Sequence, residues 1–195
     1  MRTLPATART VHIAHFSSQL EPVLTIEDGE GVVLESLRGD PADYQAAGVA
    51  PGEIPQPLRD LYRDLGAYKG HELTGPIAIR GAEPGDVLEV HIRDIQLTMP
   101  FGFNANVYGE GALPEDFPYT AWRLVRMDLD KMVAEVIPGV AVPLQPFFGV
   151  MGVAPPARLG KISSGPPGVH GGNIDLKELA AGSTLFLPVH VKGAL

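Results

Sequence analysis

The chain has 195 residues, 45% apolar and 19% charged, enough for one globular domain with a substantial core. Its formal net charge of −8, with no basic stripe, excludes the electrostatic footprint of nucleic-acid binding. The absence of cysteine removes disulfides, thiolate metal ligands and any cysteine nucleophile.

The N-terminal MRTLPATART lacks the apolar core of a secretory leader, and no apolar run reaches the length of a membrane span. A cytoplasmic protein without nucleic-acid or membrane partners is the expectation. The 23 glycines and 19 prolines predict many turns between short strands.

In chain order, His12–Ser17, Pro22–Ile26 and Val32–Glu35 read as strands. Glu27-Asp28-Gly29-Glu30 is a glycine turn that delivers the chain into the third of them, and Glu83-Pro84-Gly85-Asp86 does the same before Val87-Leu88-Glu89-Val90. Ala180-Ala181-Gly182-Ser183 repeats the phrase before Leu185-Phe186-Leu187. Leu88, Val90 and Ile92 alternate with Glu89, His91 and Arg93, which predicts a strand buried on one face with His91 and Arg93 outside.

Ala121–Met127 and Met132–Ile137 flank Asp128-Leu129-Asp130-Lys131 as a hairpin. Leu58, Leu61, Tyr62 and Leu65 lie at helical spacing inside a polar, proline-rich excursion over Gly39–Gly70. Phe101–Pro118 reads as a second excursion. Pro146–Val153 is apolar and interrupted by two glycines, the mark of a bend or a close backbone approach. No linker divides the chain, so the expectation is a single mainly β domain over residues 1–195, with sandwich-like antiparallel sheets and few short helices.

The stretch Ile162–Leu179, ISSGPPGVHGGNIDLKEL, carries the chemistry. It sets His170, Asn173 and Asp175 in a segment stiffened by Pro166 and Pro167 and freed by four glycines. Imidazole, amide and carboxylate donors suit a divalent metal, zinc first and calcium as the alternative. The same residues fit a structural reading, with Asp175 and Glu178 as a capping box for a short helix ending at Gly182. Spacing alone leaves both readings open. Lys161, Ser163 and Ser164 allow a lysine-activated serine mechanism, although a Ser-Ser pair entering a Pro-Gly loop is ordinary turn chemistry.

Three ordered blocks resemble the acetamidase/formamidase family: HELTGPIAIRGAEPGDVLEVHIRDI from His71, PFFGVMGVAPP from Pro146, and SSGPPGVHGGNIDLKELAAGSTLFLPVHVKGAL from Ser163. His15, Pro22-Val23-Leu24 and Gly29–Ser36 are similar to the family's opening. The resemblance implies a sandwich-like β fold and hydrolysis of a small linear amide to carboxylate and ammonia at a metal-containing site.

Carried over, it assigns His170, Asn173 and Asp175 as metal ligands, and Asp175 and His71 as catalytic residues. His15 is a further, weaker match. Arg38 stands where the family often has an acidic residue, with Asp40 the nearest substitute. The family's further Gly, Asp, His and Glu block is not found after Leu195. The chain is therefore expected to be an N-terminal portion of such an enzyme, weak on its own. It is also expected to be prone to associate as a homo-oligomer or with a complementary C-terminal fragment. The alternative is a catalytically incomplete β module that binds a partner.

Overall fold

The computed structural model describes residues 1–66 and 70–195; residues 67–69, at the end of the first excursion, lie outside the described residues. Among the described residues the chain is mainly β, with short strands, two α-helices and one turn of 3-10 helix. The strands form one four-stranded antiparallel sheet and six two-stranded ladders. Antiparallel pairing dominates as expected. Two ladders are parallel: Arg2–Leu4 with Val32–Leu34, and Leu24–Ile26 with Ile77–Ile79.

The chain gathers into two compact units: Met1–Arg38 with Asp60–Ile95 and Pro146–Leu195, and Gly39–Arg59 with Gln96–Gln145. No helix among the described residues is long and apolar enough to cross a membrane.

The first unit carries most of the ladders. Its three glycine turns have one geometry. Glu30, Asp86 and Ser183 each donate a backbone N–H to the carbonyl three residues back at 3.1 Å, and Gly29, Gly85 and Gly182 hold positive φ at the third position. The two later turns lead into Val87–His91 and Thr184–Pro188, which pair antiparallel. Leu88 and Val90 turn inward while Glu89 and His91 are exposed, as the alternation predicts, and Ile92 is buried.

The expected strand His12–Ser17 is two strands. Val11–Ile13 pairs with Glu72–Thr74, and His15–Ser17 pairs with Lys161–Ser163. Ala14 between them has φ +62°; its N–H donates to His71 O at 2.8 Å and its carbonyl accepts from Ser164 N at 2.9 Å. This one residue turns the strand from its first partner to its second. Gly70 follows from the crowding there, since a Cβ at that position would run into the Ala14 methyl.

The helix Gln56–Leu65 buries Leu58 and Leu61 completely, as its spacing predicts. Leu61 packs in the first unit with Ala6 and Val11, flanked by Ile13, Leu37 and Leu65. Burying a leucine in this way is worth about 1.5–3 kcal/mol.

In the second unit, Asp40 caps the helix Pro41–Ala46 by accepting from Ala42 N at 2.7 Å, with Pro41 in the first turn. Asp40 is thereby committed to a cap. The excursion expected over Phe101–Pro118 is corrected in its first part. Phe101–Asn106 is an edge strand of the sheet that runs Val140–Pro143, Val133–Ile137, Ala121–Asp128, Phe101–Asn106. Aromatic packing outweighs the poor strand propensity of Gly102 and its asparagines. Phe101 and Phe103 meet Tyr44 edge-on at 5.4 and 5.1 Å, and Phe103 meets Trp122 at 5.1 Å. The expected hairpin through Asp128–Lys131 is present, with Asp128 accepting from Lys131 N at 2.9 Å.

Candidate active site

The site residues all belong to the first unit. Two chain segments meet through Ala14, the one that enters the strand beginning at Glu72 and the bend after Lys161–Ser163; beyond that bend the chain runs to Gly171–Asn173, which pairs with Val150–Gly152.

After Pro167 the chain closes a tight turn. Gly168 N donates to Gly171 O at 2.8 Å, and Gly171 N donates back to Gly168 O at 3.0 Å. His170 sits in this turn and is buried, its ring edge-on to Phe16 at 5.0 Å. The ring fits because its neighbours are glycines. A Cβ at Gly172 would lie 2.9 Å from His170 Nε2, and a Cβ at Gly168 would lie 3.2 Å from Nδ1. His170 Nε2 is buried without a hydrogen-bond partner. Burial, then the nearby His190, pushes the His170 pKa down.

The helix expected from Asp175 is absent: residues 174–176 are irregular and 177–178 turn. Asp175 has φ +49°, and its N–H donates to Gly149 O at 3.0 Å. An N-cap needs extended backbone, so this residue cannot cap. Its carboxylate instead accepts from Asn173 Nδ2 at 3.0 Å on an exposed edge. Gly149 leaves room for it, since a Cβ there would lie 2.9 Å from Asp175 Oδ1.

His71 is half-buried, and its Nδ1 lies 2.8 Å from Ser164 Oγ. Withdrawal from water, then the Arg38 guanidinium, lowers its pKa, while the Glu72 and Asp175 carboxylates oppose the shift. Asp175 thus acts on His71, whereas the charge that acts on His170 is His190. Behind His71, Glu72 is fully buried at its side chain. It accepts from Arg38 Nη1 at 3.0 Å and from Tyr62 Oη at 2.7 Å. Arg38 also donates to Gly70 O at 2.8 Å.

His15 hydrogen-bonds Ile13 O through Nδ1 at 2.7 Å and meets His12 edge-on at 5.4 Å. Lys161 is exposed on the strand that ends at Ser163, and Ser163 Oγ accepts from Gly165 N at 3.1 Å. Sequence reasoning does not reach the roles of Ser164 and Glu72. It offers Ser164 only as turn chemistry or as part of a Lys-Ser set, and Glu72 only as part of the block that begins at His71.

Two observations bear on a divalent metal. An imidazole nitrogen buried without a partner, as at His170 Nε2, has either an unmet N–H or, unprotonated, a lone pair that could ligate an ion. Yet the described residues contain no group of three His, Cys, Asp or Glu side chains placed to hold an ion. The structure pairs Asn173 with Asp175 and sets His170 in the core. These residues supply metal-type donors without a complete ligand set.

Burial of His71, His170 and His12 also governs acid stability. Desolvation lowers the pKa of all three, and His12 Nε2 is buried without a partner. Below about pH 6.5 the unfolded chain takes up protons that the folded chain resists. Stability should therefore be full above that pH and fall as pH drops through it. Thermal melts from pH 7.5 to 5.5 should show a declining midpoint, with a shallower decline in His12→Gln. A flat profile would remove these histidines from the account.

The Acetamidase/Formamidase family model matches residues 5–165. A putative formamidase of Schizosaccharomyces pombe is 28% identical, covering 87% of this chain and 52% of its own length. The formamidase of Methylophilus methylotrophus is 29% identical, with 67% of this chain and 44% of its own length covered. The acetamidase of Bacillus halodurans superposes with a TM-score of 0.78 at 30% identity, over 99% of this chain and 59% of that one. The chain spans about half the length of the curated relatives it matches. With the family model covering most of the chain, His71 and Ser164 included, this chain belongs to the acetamidase/formamidase family.

Proposed function

We propose that the protein hydrolyses short linear amides of the formamide or acetamide type to carboxylate and ammonia. The supporting observation is His71. A half-buried imidazole bonded to Ser164, within electrostatic reach of Asp175, lies in a chain of the acetamidase/formamidase family. An amide is a poor electrophile with a poor leaving group, so catalysis needs a polarised carbonyl and a proton delivered to nitrogen. Asp175, the exposed carboxylate, is assigned the proton-handling role together with His71.

A divalent metal, zinc before calcium, belongs to this proposal, with His170, Asn173 and Asp175 as this chain's donors. When bound it would supply an activated water and polarise the carbonyl. The rest of its ligand set comes from outside these residues. The expected setting is the cytoplasm, and the expected assembly is a homo-oligomer or a complex with a complementary C-terminal segment.

Ammonia release from formamide, acetamide and a short peptide tests the substrate class, with elemental analysis on the same samples. The short amides should be cleaved faster than the peptide. Asp175→Asn should lower metal content and reduce ammonia release roughly 10²-fold or more. Asparagine tolerates positive φ, so the backbone survives the change. Faster peptide cleavage would overturn the substrate class, and equal metal in variant and parent would remove Asp175 from the ligands. A second reading, a β module that functions only when completed by a partner, is favoured by the roughly half-length coverage of the relatives. Its signature is a folded chain that releases no ammonia and sediments as a complex once the complementary segment is added.

A further inference from the structure

We propose that Ser164 is a positioning residue that donates its hydroxyl proton to His71 Nδ1, fixing neutral His71 with its own proton on Nε2. His71 then offers the amide carbonyl a hydrogen-bond donor and is not the resting base.

A buried hydroxyl needs, first of all, an acceptor for its proton. Ser164 is 1% exposed, and among the described residues its Oγ has one hydrogen-bond partner, His71 Nδ1 at 2.8 Å. A hydroxyl has one donor and two acceptor positions. If Nδ1–H donated to Oγ, the serine proton would be buried with nothing to accept it. If Oγ–H donates to Nδ1, the one donor is satisfied and only lone pairs go unused, the cheaper outcome for a group sealed from water.

The backbone holds this pair in place from both sides. Ala14 N–H donates to His71 O, and Ala14 O accepts from Ser164 N, so one residue ties together the two chain segments that carry the pair. Ala14 at φ +62° aims both of its groups at once.

The far side of the ring is open. His71 Nε2 has no partner among the described residues, and it is not among the ring nitrogens sealed from solvent, as Nε2 of His12 and of His170 are. Withdrawal from water, then the Arg38 guanidinium, disfavours the imidazolium against the opposing pull of Glu72 and Asp175. A neutral imidazole with Nε2–H exposed is built to donate to a carbonyl oxygen. That leaves acceptance of a proton to a carboxylate, and of the two in reach Asp175 is the exposed one, Glu72 being buried and held by Arg38 and Tyr62.

The catalytic part of this inference rests on the proposed amide hydrolysis, but the tautomer does not. The test reads the tautomer directly on the 195-residue chain by nitrogen-15 NMR of the imidazole ring at a pH where His71 is neutral. The expected result is a protonated Nε2 and a hydrogen-bonded, unprotonated Nδ1. A protonated Nδ1, or an equal mixture of tautomers, overturns the proposal whether or not the chain cleaves amides. In Ser164→Ala the Nδ1 resonance should move to the position of an unbonded ring nitrogen, and Ser164→Thr should restore it. An Nδ1 resonance indifferent to both changes would also overturn it. If the variants fail to fold, the parent measurement alone decides.

Discussion

Gly171→Ala is expected to be among the most damaging single-methyl additions in the chain. Gly171 pairs with Gly152 in the ladder Val150–Gly152 with Gly171–Asn173, where the two backbones approach more closely than any side chain allows. A Cβ on Gly171 would collide with Met151 O and would lie 3.1 Å from Gly152 Cα and 3.2 Å from Leu187 Cδ2. The first two obstacles are backbone and cannot rotate away. Gly171 also has φ +87°, where an L-residue costs about 1–2 kcal/mol by itself. Overpacking adds about 1–3 kcal/mol. The sum is about 3 kcal/mol, which for a chain of this size lowers the melting temperature by roughly 6–12 °C.

Gly29→Ala is the control. Its φ is +75°, but a Cβ there meets nothing within 4 Å, so only the conformational cost of about 1 kcal/mol should appear. Thermal melts of the two variants check the claim. Equal losses would mean that the close approach at Gly171 is relieved by backbone movement.

The same glycines explain what the sequence could and could not disclose. Turn chemistry is local, so Gly29, Gly85 and Gly182 announce their turns without help from the rest of the chain, and the helix through Leu58 and Leu61 is legible from spacing alone. Non-local choices are not. Nothing near Ala14 signals that it breaks a strand, because its φ of +62° is imposed by hydrogen bonds to His71 and Ser164, which lie far along the chain. Phe101–Asn106 forms a strand against its local composition because Tyr44 and Trp122 pack on its aromatic residues.

The site divides in the same way. His170, Asn173 and Asp175 could be singled out because they crowd one glycine- and proline-rich stretch. Their surroundings could not. Asp175 looks like a cap by spacing and is held in a left-handed conformation by Gly149 instead. His170 reads as a loop residue and is buried, edge-on to Phe16. Ser164 is separated from His71 by 93 residues in sequence, so their hydrogen bond has no local signature.

The second large effect is expected at Arg38. The Glu72 carboxylate has no exposed surface, and Arg38 brings it a positive charge at 3.0 Å while remaining 64% exposed itself. Replacing the arginine by methionine keeps the apolar stem but strips a buried carboxylate of that charge. A buried group left short of a partner costs about 1–3 kcal/mol, more when it is charged; the exposure of Arg38 holds the expected loss near the lower half of that range. Arg38→Met also removes the hydrogen bond to Gly70 O, next to the His71 backbone that Ala14 engages.

The double variant Arg38→Met with Glu72→Gln separates the two contributions. The glutamine side chain is neutral and can still accept from Tyr62, so the cost of taking Arg38's charge from the carboxylate disappears while the lost Gly70 contact remains. The double variant should therefore melt above Arg38→Met alone, by roughly 2–4 °C per kcal/mol recovered. Non-additivity of this sign is what a buried ion pair produces, because removing one partner costs more than removing both. If the two substitutions simply add, Glu72 is stabilised by its other neighbours and the arginine acts through Gly70 alone.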